Sequence, residues 1–206
     1  MISDARSTLV VHSASGRSGK TTICRSLVRD LPFDVYIKLS RHSLHLAARS
    51  LSAGTLPLEG GDTGRLLQSE RSPWLQPLRD IILLDGPHRE TEEAVVRTLG
   101  RWPVETRVLI EGNCSSVPER SRYMYVLRCP LPQSAKPNMG TMAARADLIV
   151  VNRFPGCTPA EEAALLALLR DWNPRANQVS GSAEDTTFFE TVEAAVLELL
   201  PLLHSA

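Results

Sequence analysis

Ala14-Ser15-Gly16-Arg17-Ser18-Gly19-Lys20-Thr21-Thr22 is the stretch that most narrows what this chain can become. It follows the apolar run Thr8-Leu9-Val10-Val11 and leads into Ile23, Leu27, Val28 and Leu31 at helical spacing, with Pro32 as a stop. A strand, a glycine-bearing turn and a helix in that order make an anion cradle. Gly16 and Gly19 let successive amides turn inward, and the helix adds the positive end of its dipole. The form is GxxxxGK(S/T) except at its first position, where Ala14 stands for glycine. Ser15, Gly16, Arg17, Ser18, Gly19, Lys20, Thr21 and Thr22 are therefore candidate phosphate contacts. Lys20 is expected across the outer phosphates of a nucleotide and the Thr21 hydroxyl on Mg²⁺.

Further apolar runs alternate with helical patterns. Phe33 to Leu39, Asp80 to Asp85, Thr106 to Glu111, Arg122 to Leu127, Asp147 to Asn152 and Asn177 to Ser180 read as strands. Helices are expected from about Thr91 to Leu99, after Thr158-Pro159, and along the apolar face Phe188, Val192, Ala195, Val196, Leu199 and Leu203. Ser40 to Gly61 reads as a long connection, with Asp62 or Thr63 capping a short helix after it, and Cys129 to Gly140 as a Pro-rich loop. The alternation implies an α/β fold: a doubly wound, mostly parallel sheet in a three-layer P-loop NTPase sandwich, one domain over 1–206. Ligands of such sheets bind at the carboxyl ends of the strands. That rule brings residues 16–21, 38–45, 85–88, 111–113 and 152 to one rim.

Composition narrows the partners. Lys and Arg total 23 and Asp and Glu total 23, a balance that argues against a broad grip on nucleic acid or an anionic membrane. No apolar stretch is long enough to span a bilayer, and Met1 to Arg6 lacks the apolar core of a signal peptide, so a cytoplasmic protein is expected. Cys24, Cys114, Cys129 and Cys157 are scattered, and reduced thiols are the expectation for all four.

A second carboxylate is needed on the magnesium side, at the end of an apolar strand. Asp85, in Ile-Ile-Leu-Leu-Asp-Gly-Pro-His, and Glu111, in Val-Leu-Ile-Glu-Gly-Asn, both qualify. With Lys20 they form the candidate catalytic set, and Thr21, Asp62 and Glu111 the candidate Mg²⁺ set.

The phosphate loop, Ile37-Lys38 with Arg41-His42-Ser43-Leu44-His45, Gly61-Asp62-Thr63-Gly64-Arg65 and Ile110-Glu111-Gly112 stand in one order. This set is similar to the MobB family, molybdopterin-guanine dinucleotide biosynthesis protein B, within the metal-cofactor maturation NTPases. The resemblance covers roughly the first 115 residues. It implies that Lys38, His42 and His45 line the outer face of a nucleotide site, that Asp62 with Thr63 approaches the phosphates or Mg²⁺, and that Glu111 is preferred over Asp85. The chain departs from the family at Ala14 and at Gly61, and its histidine cluster is thinner. Asp147 to Arg153 looks like the strand and Asn-Lys pair that recognises guanine in urease and hydrogenase maturation GTPases. Asn152 is then a candidate for a base edge and Arg153 for stacking on the base. Arg128-Cys129-Pro130 echoes a Cys-Pro-His metal element of the same proteins, with Leu131 in place of the histidine.

The expectation is Mg²⁺-dependent binding and slow hydrolysis of GTP or ATP, in support of molybdenum or other metal-cofactor biosynthesis. The pocket is expected to close against a partner enzyme or a second copy of the chain. A small-molecule kinase and a nucleotide-binding adaptor without catalysis are the two other readings.

Overall fold

The computed structural model describes residues 7–51, 71–76, 78–117 and 121–200. The expected helix after Asp62 lies outside them. Strands β1 (Thr8–Ser13), β2 (Val35–Ser40), β3 (Ala47–Leu51), β4 (Asp80–Asp85), β5 (Val108–Glu111), β6 (Arg122–Cys129), β7 (Leu148–Arg153) and β8 (Asn177–Gly181) form one sheet. Its order is β3-β4-β2-β5-β1-β6-β7-β8, parallel throughout except at the β3 edge, which runs against β4. Helices α1 (Lys20–Asp30), α2 (His88–Leu99), α3 (Met139–Ala144), α4 (Pro159–Trp172) and α5 (Thr186–Leu199) alternate with the strands.

Alternate residues along each strand separate the two faces. Leu9, Val11, Tyr36, Met124, Val126, Leu148 and Val150 pack with α1 and α5 on one side. Val10, Val35, Ile37, Val108 and Ile110 pack with α2 on the other, and Tyr125, Leu127, Ile149 and Val151 with α3 and α4. Strands buried on both faces need apolar residues at every position, which is why the central runs show no polar alternation. Helix α4 starts on the expected signal: Thr158 and Glu161 form a reciprocal capping box, with Pro159 in the first turn.

Three elements depart from expectation. The Ser40 to Gly61 connection contains edge strand β3, and the Pro-rich segment yields to α3 one residue before its expected end at Gly140. Helix α2 also begins three residues earlier than Thr91, whose hydroxyl turns back to the carbonyl oxygens of Pro87 and His88. The cysteine expectation is corrected as well: Cys129 and Cys157 form a disulfide, with Cα atoms 5.5 Å apart, while Cys24 and Cys114 are free and buried. A separation of 28 residues carried no sequence signal for that pairing, which β6 and the turn after β7 create in space.

Where α1 meets α5, Ser26 Oγ donates to Glu193 Oε1 at 2.5 Å, and Asp30 lies beside them. Burial and the neighbouring Asp30 charge push the Glu193 carboxyl up to about 7 from 4.5. A raised folded value means that the protonated form suits the fold, so burial of this carboxyl beside Asp30 costs stability as pH rises through about 7, and the Ser26 bond, which favours the ionised form, offsets part of that loss. Glu193→Gln keeps the shape and removes the proton. The variant is expected to flatten the fall in urea-unfolding free energy between acid and alkaline buffer by about 1–2 kcal/mol, after discounting for solvent screening of a half-exposed group.

Candidate functional site

The carboxyl end of β1 runs into residues 14–19 and then α1, and this turn forms the wall of an open cleft of about 500 Å³. Ser13, Ser15 to Thr22, Arg25, Lys38 to Ser40, His42 and Glu111 line it. Arg17 sits in the left-handed region at φ 54° and Gly19 at φ 85°, a curled backbone of the kind that points amides into a concavity. Gly19 occupies the N-cap of α1 with no side-chain cap, so the first amides of the helix keep their donor capacity. The hydroxyls of Ser15 and Ser18 are buried and have no hydrogen-bond partner among the described residues. Buried donors without acceptors are costly unless a ligand satisfies them, and all of these lie in one loop.

Ala14 does not disturb this turn. It is fully buried, its amide donates to Val126 O at 3.3 Å, and its carbonyl accepts from the Lys136 amide at 2.9 Å.

Glu111 is the acidic residue of the cleft. Its Oε1 accepts from Lys20 Nζ at 2.7 Å and from Thr21 Oγ1 at 2.6 Å, and its Oε2 accepts from the hydroxyl of Tyr36. Burial opposes the charge on this carboxyl, but the Lys20 and Lys38 ammonium groups and the bonds from Lys20 and Thr21 hold it below the ordinary carboxylate range. The register explains the convergence: Glu111 stands opposite Val11 on one side and Lys38 on the other, at the ends of β5, β1 and β2. Gly112 then turns away at φ 143°, where a Cβ would lie 2.6 Å from that of Leu39.

The second strand-end carboxylate is used differently. Asp85 accepts from Ser43 Oγ at 2.5 Å, from the His42 amide at 2.8 Å and from the Ser43 amide at 3.4 Å. Those bonds, led by the Ser43 hydroxyl, hold its carboxyl far below the ordinary range. Asp85 therefore fastens the 41–43 turn and does not line the cleft.

Lys38 and His42 line the cleft; His45 is exposed and does not. Asp62 and Thr63 lie outside the described residues. Asn152 is buried at the end of β7, where its Nδ2 donates to Ser18 O at 3.1 Å and its Oδ1 accepts from the Ala183 amide at 3.0 Å. Its amide thus ties the turn before α1 to the turn after β8. Arg153 points to Glu162 at 3.6 Å and stands outside the cleft lining. Among the described residues no three His, Cys, Asp or Glu side chains group as a metal cage, and Cys129 is taken up in the disulfide.

Tyr36 and Lys136 carry no sequence motif that marks them. Tyr36 reads as an ordinary strand aromatic, and its hydroxyl donates to Glu111. Lys136 lies in a Pro-rich segment with no motif, yet its Nζ donates to Ser13 O at 3.1 Å.

No family model matches the sequence, and no curated protein matches it. Among solved structures, the hydrogenase maturation factor HypB from Archaeoglobus fulgidus is similar at a TM-score of 0.57 and 13% identity, with 96% of this chain and 91% of that chain covered. HypB from Helicobacter pylori in complex with nickel is similar at 0.56 and 16%, with 96% and 88% covered. At these identities the likeness establishes the architecture alone: the doubly wound, mostly parallel α/β sandwich expected from the sequence. The finer resemblance to MobB has no counterpart in these comparisons.

Proposed function

We propose that the chain is a single-domain, Mg²⁺-dependent P-loop NTPase of the metal-cofactor maturation class, which binds GTP or ATP in the cleft of Ser13 to Thr22 and hydrolyses it slowly. The observation that carries this reading is the convergence on one point of an uncapped helix start, two buried and unpartnered serine hydroxyls, Lys20, Thr21 and Glu111. Amides of Gly16 to Thr22 hold phosphate oxygens, and Lys20 leaves Glu111 to neutralise charge on the outer phosphates. The hard oxygen donors Thr21 and Glu111 suit Mg²⁺, which takes most of its remaining ligands from water and phosphate. Mg²⁺, when bound, would supply positive charge against the phosphates. Asn152 keeps Ser18 in place from behind, which ties loop geometry to the β8 turn. HypB-like architecture supports a maturation partner and gives no support to molybdenum over other metals.

The test is a competition titration of GTP against ATP with Mg²⁺, on the wild type and on Lys20→Ala. Binding of one nucleotide is expected in the wild type, and the variant is expected to lose about 10- to 100-fold in affinity, the worth of a charge-assisted contact. Equal affinity in both proteins, or none in the wild type, overturns the proposal.

Tyr36 fixes the direction of Glu111 without touching the cleft. Tyr36→Phe keeps the packed ring and deletes the bond, so nucleotide affinity without Mg²⁺ is expected to hold while Mg²⁺ affinity of the nucleotide complex falls about tenfold. Titration of Mg²⁺ into the preformed complex reads the difference.

A further inference from the structure

Beside the cleft, the ends of β1 and β5 carry positive charge that nucleotide binding leaves unused. Lys136 Nζ donates to Ser13 O at 3.1 Å, the Ser13 amide donates to Asn113 Oδ1 at 3.3 Å, and Arg41 Nη2 donates to Asn113 O at 2.6 Å. Ser13 and Asn113 thus form a short bridge with a cation at each end. Neither cation meets a carboxylate among the described residues: Lys136 Nζ rests on a carbonyl oxygen, and Arg41 on a carbonyl oxygen and His88 Nδ1 at 3.2 Å. Glu92 lies beyond His88, 3.5 Å from its ring, and its oxygens already accept from Ser115 and Ser116. Asp85 is committed to the 41–43 turn and Glu111 to Lys20, Thr21 and Tyr36.

The side-chain NH₂ of Asn113 has no partner among the described residues, since its Oδ1 faces the Ser13 amide. The array is therefore all donors, which fits anionic oxygen and nothing cationic. Two full charges with an amide between them match a dianion better than a carboxylate. The cations also act on one another: burial, then the charges of Lys20 and Arg41, lower the affinity of Lys136 for its proton. His12, in the same strand end, is pushed down to about 4 by burial and adds no charge at neutral pH.

We infer that Arg41, Lys136 and Asn113 form a second anion site beside the phosphate loop, which receives the phosphate group of a small phosphorylated substrate or effector while the nucleotide is bound. This rests on the proposed nucleotide site as its neighbour. The segment after β6 that carries Lys136 also donates its own amide to Ala14, so occupancy of the second site bears on the phosphate loop directly.

Inorganic phosphate is the probe. The protein is first saturated with Mg²⁺ and a non-hydrolysable triphosphate, with that binding measured by calorimetry, and phosphate is then titrated in. Since the nucleotide fills the cradle down to its last phosphate, phosphate is expected to bind only at the second site. Arg41→Gln and Lys136→Met are each expected to weaken it by about tenfold or more, and Arg41→Gln, outside the cleft lining, to change nucleotide affinity less than about threefold. Arg41 is exposed, so its replacement leaves the fold intact even if that of Lys136 does not. No phosphate binding to the loaded wild type, or equal binding in wild type and Arg41→Gln, overturns the inference. If the triphosphate itself fails to bind, the nucleotide reading fails at the first titration. Phosphate is then titrated into Lys20→Ala, where a dependence on Arg41 still supports the second site and its lack removes it.

Discussion

Gly19→Ala is expected to abolish measurable nucleotide binding, with a loss of at least about 100-fold or 2.7 kcal/mol. Gly19 sits at φ 85°, a conformation that costs a side chain about 1–2 kcal/mol. The added Cβ would also lie 2.2 Å from Asn152 Nδ2. Something has to shift, because Asn152 is held on both polar atoms and cannot rotate away without breaking a bond. If Asn152 yields, the Ser18 carbonyl is left unpaired; if the loop yields, its amides no longer converge. The combined cost is about 2–5 kcal/mol in unfolding free energy, read by urea denaturation alongside calorimetric titration of Mg²⁺ with the preferred nucleotide.

Asn152→Ala acts on the same contact from the opposite side. Truncation strands the buried Ser18 carbonyl and the half-buried Ala183 amide, at about 1–3 kcal/mol each if water does not replace the side chain. A loss near 2–4 kcal/mol is expected, with weaker nucleotide binding as a consequence of a loosened loop. The two substitutions should not add: with Asn152 already cut back, the Cβ at position 19 has room. The double variant is therefore expected to fall short of the sum by about 1 kcal/mol or more, as residues in contact do. Additive losses would mean that the two residues act separately.

Much of this site can be read from residues alone, and the reason is local. The phosphate loop, the α1 pattern and the Thr158 cap are each written within about ten consecutive positions, where propensity and spacing decide the backbone. Glu111 and Asp85 look alike on that scale, since each closes an apolar run. What separates them is three-dimensional: β5 lies next to β1 in the sheet, whereas β4 lies beyond β2, so only the Glu111 carboxylate reaches Thr21. Strand β3 escapes notice because Ala47-Ala48-Arg49-Ser50-Leu51 has no β-branched or aromatic residue and gains its pairing from β4. Asn152 is recognisable as a strand-end residue, yet its grip on Ser18 spans 134 positions. Tyr36, Arg41, Asn113 and Lys136 belong to the same class: ordinary residues given a task by register and by the crossing of distant loops.

The amides of residues 16–22 are expected to close around the phosphates of a bound nucleotide. A titration of the ¹⁵N-labelled protein with Mg²⁺ and the preferred triphosphate follows each amide separately. The expected result is large downfield proton shifts at Gly16, Gly19, Lys20 and Thr21, saturating together, and in Lys20→Ala a titration moved to about 10- to 100-fold higher nucleotide concentration. Shifts confined to other segments, or a loop whose amides do not respond while the nucleotide binds, would contradict it.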